Sequence, residues 1–483
     1  MNLIDWHLVS PELFLGCTGI AVLMIDLLLP AGKKAFLWWL SLIGIAGAFV
    51  MLVGLWGESQ ATLSGMFVLD PFSLFFKGIF LVASFLVLLI TPELKGLDLE
   101  TMSEYCALLL FGTFGFMLVA SAGDLVMIFV AIEMGAIPCY ALAGFMRDDA
   151  SSNEAGVKYF LLGAISSAVM VYGMSFIYGL TGLTNLLAIE ERLLAGGASY
   201  PLLMLGSILT VAGFAFKMAA VPFHMWVPDT YQGAPTPITA YLSVVSKGAG
   251  FAVLLRFIFS LSGAYQANGI DWTGIIAWLS ALSMILGTIV GVAQTNVKRL
   301  LAYSSIAHVG YMLIGVAVGG TLGTQSVLIY LTAYLFMSVG AFSIVTAQSR
   351  ITGGDDLEHF VDLGRRSPVM AGLMTIFLLS LAGIPGLAGF MGKLYVFSSA
   401  IKDGYIVLAV IGILTSVVSL FYYARVLKAM YLVKRKEEQP HFGMSALTKF
   451  ALGISFVFTL FIGLFPAQLI RLTEASLELW LGR

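Results

Sequence analysis

The stretch Gly213-Phe214-Ala215-Phe216-Lys217-Met218-Ala219-Ala220-Val221-Pro222-Phe223-His224-Met225-Trp226-Val227-Pro228 decides how this chain is read. It is apolar enough to enter a bilayer, yet it carries a lysine and two prolines and runs on through Gly233, Pro235 and Pro237. Proline removes a backbone donor and clashes with the preceding turn, so a helix through these residues must break. Non-helical backbone at membrane depth is tolerated only where protein or a wet cavity satisfies it. A second stretch has the same character: Gly383-Ile384-Pro385-Gly386 precedes Gly389-Phe390-Met391-Gly392-Lys393. Broken helices paired in two halves of a chain mark repeat-built transporters.

The rest of the chain fits a lipid solvent. Of 483 residues, 59% are hydrophobic and 11% charged, with a mean hydropathy of +0.97, whereas soluble domains are about a quarter charged. Windows long enough to cross ~30 Å of hydrocarbon fall near residues 13–29, 35–55, 72–91, 104–121, 124–145, 156–180 and 203–228. Seven more fall near 234–260, 272–293, 299–319, 323–347, 367–400, 404–429 and 446–470, the twelfth too long for one straight span. Met1 to Pro11 holds Asp5 and no lysine or arginine, so it lacks the basic region of a cleavable signal and the first span is expected to stay.

Lysine and arginine concentrate in alternate loops. One side collects Lys33, Lys34, Lys95, Arg147, Lys298, Arg299, Arg350, Arg365, Arg366, Lys428, Lys434, Arg435 and Lys436; the other has Arg192, Lys402, Arg471 and Arg483. Thirteen against four places both termini outside the cytoplasm and demands an even number of spans, about fourteen. A net charge of −2 with scattered basic residues gives no surface for nucleic acid. Cys17, Cys106 and Cys139 stand alone, without the spacing of a zinc or iron–sulfur site, and read as inert core residues.

The two breaks read as copies. Gly-Phe-x-x-Lys occurs from Gly213 to Lys217 and from Gly389 to Lys393, an offset of 176, and nearly that offset carries Glu133 to a position beside His308. Spans four to eight and nine to thirteen are therefore expected to be duplicated units. Five spans is an odd number, so the copies must be inverted. The expected fold is an all-α membrane protein of about fourteen transmembrane helices, the seventh and twelfth broken. Its single membrane domain divides into residues 1–100, three N-terminal helices; 101–262, the first repeat; 270–430, the second; and 440–483, a C-terminal helix.

Ionisable residues inside apolar windows carry the functional reading. Glu133 has apolar neighbours on both sides in Phe129-Val130-Ala131-Ile132-Glu133-Met134-Gly135. A charge there costs roughly 2.5 to 3.5 kcal/mol on insertion scales, so it must face protein or water; the bland alternative is a structural ion pair. Lys217 and Lys247 lie too deep to snorkel easily. Burial disfavours an ammonium and a nearby carboxylate favours it, so changing the separation of Glu133 and Lys217 would load or unload a proton. Lys393 fits the same description, with a cap on exposed helix carbonyls as its alternative. His224 and His308 can pass protons near neutral pH or merely bond a backbone carbonyl. Lys158, near the cytoplasmic end of its window, can snorkel or take part, and Arg256, Lys77 and Arg425 read as interfacial or packing charges. No Walker loop, strand-led GxGxxG or HExxH occurs. Energy for uphill proton movement must then come from a partner or another ion's gradient. A solute symporter would need a polar substrate pocket at the broken helices, and a channel would need no buried Glu–Lys switch.

Several segments resemble a known family, the antiporter-like membrane subunits of respiratory complex I, the bacterial proton-translocating NADH:quinone oxidoreductase, in its subunit N branch. Glu154-Ala155-Gly156-Val157-Lys158-Tyr159-Phe160-Leu161-Leu162-Gly163 is similar to the family's sixth helix. Pro222-Phe223-His224-Met225-Trp226-Val227-Pro228-Asp229-Thr230-Tyr231-Gln232-Gly233-Ala234-Pro235 looks like its signature, and Leu301 to Tyr311 and Gly389 to Lys393 agree. The likeness implies a subunit that moves protons while partner subunits oxidise NADH and reduce quinone. Glu133 and Lys217 would be the coupled pair of an entry half-channel, Lys247 the central lysine with His308 nearby, and Lys393 the terminal residue towards the outside; His224 and Lys158 are further candidates for the path. The lysine at 393 matters, because a sister branch has glutamate there. NADH, FMN, iron–sulfur clusters and quinone are expected in partner subunits and none in this chain. The partners implied are other membrane subunits, a sister antiporter-like subunit among them, in a bacterial inner membrane. A subunit of a multisubunit cation/proton antiporter shares Glu133, Lys217 and the broken helices and stays the alternative.

Overall fold

The computed structural model describes residues 5–30, 34–98, 100–196, 199–434 and 443–477. Lys33, Arg435, Lys436 and Arg483, four of the loop charges, lie outside the described residues. In lipid every backbone donor and acceptor of a span must be satisfied within it, so the apolar windows become helices. In chain order these are α1 Ser10–Asp26, α2 Ala35–Gly54, α3 Pro71–Ile90, α4 Met102–Ala120, α5 Leu125–Ala143, α6 Ala150–Thr181, α7 Tyr200–Met218 and α8 Trp226–Gly233. They continue as α9 Thr236–Ser260, α10 Trp272–Val292, α11 Val297–Val318, α12 Gly320–Thr352, α13 Pro368–Ala382, α14 Ala388–Lys402, α15 Ile406–Leu432 and α16 Ala446–Leu464. Twelve are at least 18 residues long and apolar enough to cross a membrane. With the 17-residue α1 and the jointed pair α13–α14, these make fourteen spans among the described residues, the even number that the charge alternation requires. The seventh span is α7 continued by α8.

The interior belongs to α3, α9, α11 and α12, while α6, α15 and α16 are peripheral. Loops between spans converge as the charge reading expected. A recess of about 570 Å³ is lined by Glu93, Lys95, Arg147, Gln232, Lys298 and Arg350, so these residues share one face of the molecule, here called the basic face. Cys106 and Cys139 are buried, but Cys17 is exposed on α1, which corrects its reading as a core residue.

The repeat is visible in two matching straps. Asp124, the N-cap of α5, pairs with Asn185, just beyond α6. Asn296, the N-cap of α11, pairs with Asp356, just beyond α12. The flanking backbone bonds also match: Leu125 N–H donates to Thr184 and Leu186 N–H to Gly123, as Val297 N–H does to Asp355 and Leu357 N–H to Thr295. Both α6 and α12 end at a glycine in the left-handed region, Gly182 at φ +71° and Gly353 at φ +80°, where a side chain would be strained. Five spans separate the straps, so they stand on opposite faces and the copies are inverted.

The register of the repeat differs from the one read off the pentapeptides. Asp124 and Asn296 are 172 positions apart, and that offset takes Glu133 to Ser305, one helical turn short of His308. The two Gly-Phe-x-x-Lys segments are not structural counterparts either. Lys217 closes α7 before the first break, whereas Lys393 lies in α14 after the second.

Candidate functional site

Glu133 sits two and a half turns into α5, half-buried, and accepts a hydrogen bond from the Ser167 hydroxyl of α6. Seven residues further along the same face, the Tyr140 hydroxyl accepts a hydrogen bond from Lys217 Nζ at 3.3 Å, with the ammonium 5.2 Å from its ring centre. Glu133 and Lys217 form no ion pair within 4 Å among the described residues. Lys217 owes its place to the break: α7 ends one residue later, and Ala219 turns the chain at φ +67°. The Tyr140 ring packs 4.7 Å from that of Tyr159, whose hydroxyl faces Ser246.

Lys247 follows a widened turn, Leu242–Ser246, in α9, a local distortion common where a helix serves function. Its Nζ donates to Ser305 Oγ on α11 at 2.6 Å and lies 5.6 Å from the Tyr231 ring centre. One turn on, His308 is held at both nitrogens: Nδ1 is 2.7 Å from Tyr330 Oη and Nε2 3.4 Å from Tyr423 Oη. Tyr423 is also bonded to Ser304. Lys393 reaches back across the second break to the carbonyls of Leu381 and Ala382, at 3.1 and 2.8 Å, and to Ser416 Oγ at 2.7 Å. Its Nζ is 4.9 Å from the Tyr311 ring centre, and that ring lies 5.7 Å from His308. Lys217, Lys247, Lys393 and His308 are each at most 4% exposed. The structure thus strings three lysines and a histidine, joined by tyrosines and serines, across both repeats.

Two candidates lie apart from this row. His224 stands in the turn between α7 and α8, partly buried, and its Nδ1 has no hydrogen-bond partner among the described residues. Lys158 is 42% exposed at the basic face, 2.6 Å from both Glu154 and Asp229. Asp229 is held in turn by Arg299 at 2.7 Å, so α8 is tied to α6 of one repeat and α11 of the other.

Residues 122–419 match the family profile described as NADH:quinone oxidoreductase/Mrp antiporter, transmembrane. The chain belongs to that family. Among NADH:quinone oxidoreductase/Mrp antiporter proteins it is 43% identical, over 478 residues, to NADH-quinone oxidoreductase subunit N of Trichlorobacter lovleyi, covering 99% of this chain and 98% of the relative. It is 42% identical to subunit N of Moorella thermoacetica, covering 96% of each chain. A chain of respiratory complex I from Thermus thermophilus superposes with a TM-score of 0.81 at 31% identity, covering 96% of this chain and 99% of that one. The Mrp complex of Dietzia shares the fold, with a TM-score of 0.85 at 19% identity over 98% of this chain and 97% of that one.

Of the cations read from the sequence as interfacial or packing charges, two are buried and paired. Arg256 grips Asp70 with two bonds of 3.0 Å, and Lys77 lies 2.6 Å from Glu12 with both side chains fully enclosed. Arg425 binds the Val292 carbonyl. The missing signal was depth: Asp70, Arg256, Glu12 and Lys77 all lie towards the face opposite the basic loops, each within about two turns of the end of its span. The hydroxyl partners, Tyr140, Ser305, Tyr330, Tyr423 and Ser416, carried no such signal.

Proposed function

We propose that this chain is the N-type, proton-translocating membrane subunit of an NADH:quinone oxidoreductase, with both termini on the non-cytoplasmic side of the inner membrane. The observation that carries this reading is the row Lys217, Lys247, His308 and Lys393. A charge in hydrocarbon is costly, and four such groups on one line through two inverted repeats serve a travelling charge better than a static scaffold. Each lysine contacts at least one hydroxyl, which can accept or donate a proton without moving. Full-length identity to subunit N proteins supports the assignment within the family.

The redox chemistry falls to partners: NADH, FMN, iron–sulfur clusters and quinone belong to other subunits, and this chain supplies no redox site. Moving one charge against 100 mV takes about 2.3 kcal/mol, which quinone reduction elsewhere must deliver. A sister antiporter-like subunit is the natural neighbour of α5. Glu133 is only half-buried there, flanked by exposed Val126, Val130, Met134 and Ile137, and lipid alone offers a carboxylate no partner. The alternative reading, a subunit of a cation/proton antiporter, draws on the fold shared with the Dietzia complex.

The test uses membranes carrying the intact host complex with Lys217→Ala and, separately, Glu133→Ala. Quinone reduction, proton uptake and complex abundance are recorded together. Both activities are expected to fall with abundance unchanged. Unchanged pumping in both variants sinks the assignment, and cation-driven proton flux without electron transfer selects the antiporter.

A further inference from the structure

The first three spans lie outside the family match at 122–419, and they hold the carboxylates of two buried ion pairs that the row from Lys217 to Lys393 does not use. The two pairs differ in how they are held. Arg256 donates to both Asp70 oxygens at 3.0 Å and, through Nε and Nη2, to the Ala120 carbonyl at 3.2 and 2.9 Å. Asp70 also accepts the Ser73 N–H at 2.8 Å. A buried pair satisfied in this way is fixed, and its role is structural.

Glu12 and Lys77 are both 0% exposed. They approach to 2.6 Å, and among the described residues no third group is hydrogen-bonded to either carboxylate oxygen or to Lys77 Nζ. The ammonium also lies 4.7 Å from the Phe67 ring centre, and the Asp70–Arg256 pair is close enough to act on it electrostatically. Attraction offsets the removal of two charges from water only when further hydrogen bonds satisfy the remaining lone pairs and protons. Here they do not, so neither arrangement of the shared proton is locked in place. That is the condition for a site that takes up a proton and passes it on.

A line of hydroxyls runs from the first repeat to within about two helical turns of this pair. Gly112 on α4 leaves room for Tyr241 Oη and Cys139 Sγ, 3.1 and 3.8 Å from where a β-carbon would stand. Cys139 precedes Tyr140, the partner of Lys217. Tyr241 Oη is 3.1 Å from Thr113 Oγ1, which is 2.7 Å from Ser84 Oγ on α3. Ser84 and Lys77 share one face of α3 two turns apart, about 10 Å along its axis. Because α3 starts at the face opposite the basic loops, Lys77 is the nearer of the two to that face.

We propose that Glu12 and Lys77 form a proton-holding site in the N-terminal three-helix unit, fed from the first repeat through Tyr241, Thr113 and Ser84. In each passage the Lys77 ammonium gives a proton to the Glu12 carboxylate. The resulting acid releases it towards the face opposite the basic loops, and the Lys77 amine takes the next proton from the Ser84 side. This site rests on the proton-translocation reading.

Two variants of the intact complex test it. Glu12→Leu with Lys77→Met replaces the pair by apolar groups, which a purely structural pair tolerates; Thr113→Val removes the middle hydroxyl at nearly constant shape. Complex abundance is expected to hold, protons taken up per quinone reduced to fall, and coupled turnover to slow roughly 10-fold or more, as when a proton-transfer group is lost. Lys217→Ala is measured beside them. An unchanged proton ratio in both variants, with Lys217→Ala lowering it, overturns this site alone; no change in any of the three overturns the translocation reading as well. Should the double variant fail to assemble, Thr113→Val decides, and an unchanged ratio there overturns the proposal.

Discussion

Tyr140 shows what a single hydroxyl contributes. It lies on α5 seven residues beyond Glu133, and its ring and its oxygen make separate contacts with the Lys217 ammonium. Tyr140→Phe keeps the ring and removes the hydrogen bond. Coupled proton uptake is expected to drop several-fold, in line with about 1 kcal/mol for a buried hydrogen bond, while complex abundance stays the same; vesicle assays beside a blue-native gel read both. An unaltered rate would mean that Glu133 acts on Lys217 by field alone. The cations of this site were legible in the sequence because a charge inside an apolar window is conspicuous. Their partners were not. Tyrosine and serine are ordinary residues of a membrane helix, and whether Ser305 meets Lys247 depends on the rotation of two helices about their axes, which no spacing within one helix reveals.

Elements meet in this fold by backbone approach. At the second break, a β-carbon on Gly389 would stand 1.8 Å from the Ser380 carbonyl, so α14 can begin where it does only because position 389 has no side chain. Gly389→Ala is expected to push the two halves of the twelfth span apart at a cost of about 1–3 kcal/mol, the range for overpacking. The amount of subunit recovered in the assembled complex should fall accordingly. Gly453→Ala on α16 meets nothing within 4 Å and should be neutral within about 0.5 kcal/mol; equal recovery of the two would show that the break is not packed this closely. The breaks themselves were legible from Pro222 and Pro385. Their equivalence was not, since the pentapeptides around Lys217 and Lys393 resemble each other without occupying matching places, and the true register rests on Asp124, Asn185, Asn296 and Asp356, whose pairings span 61 and 60 residues.

Across the whole molecule, the apolar windows foretold the number of spans, and the alternation of basic loops required that number to be even. Neither foretold how the halves are joined. Asp229 binds Lys158 of the first repeat and Arg299 of the second, and each contact is partly open to solvent. Asp229→Asn is therefore expected to lower the melting temperature of the purified complex only slightly, by the equivalent of about 1 kcal/mol, and the loss should shrink as salt is added. A loss insensitive to salt would assign Asp229 a role other than charge pairing. The two straps on opposite faces have one more consequence. A membrane voltage points one way, but the repeats point two ways, so equal displacements of matching elements do opposite electrical work. At about 2.3 kcal/mol per charge per 100 mV, a field that favours outward movement of a cation in one half resists the same internal motion in the other, and the energised membrane itself makes the two halves unequal.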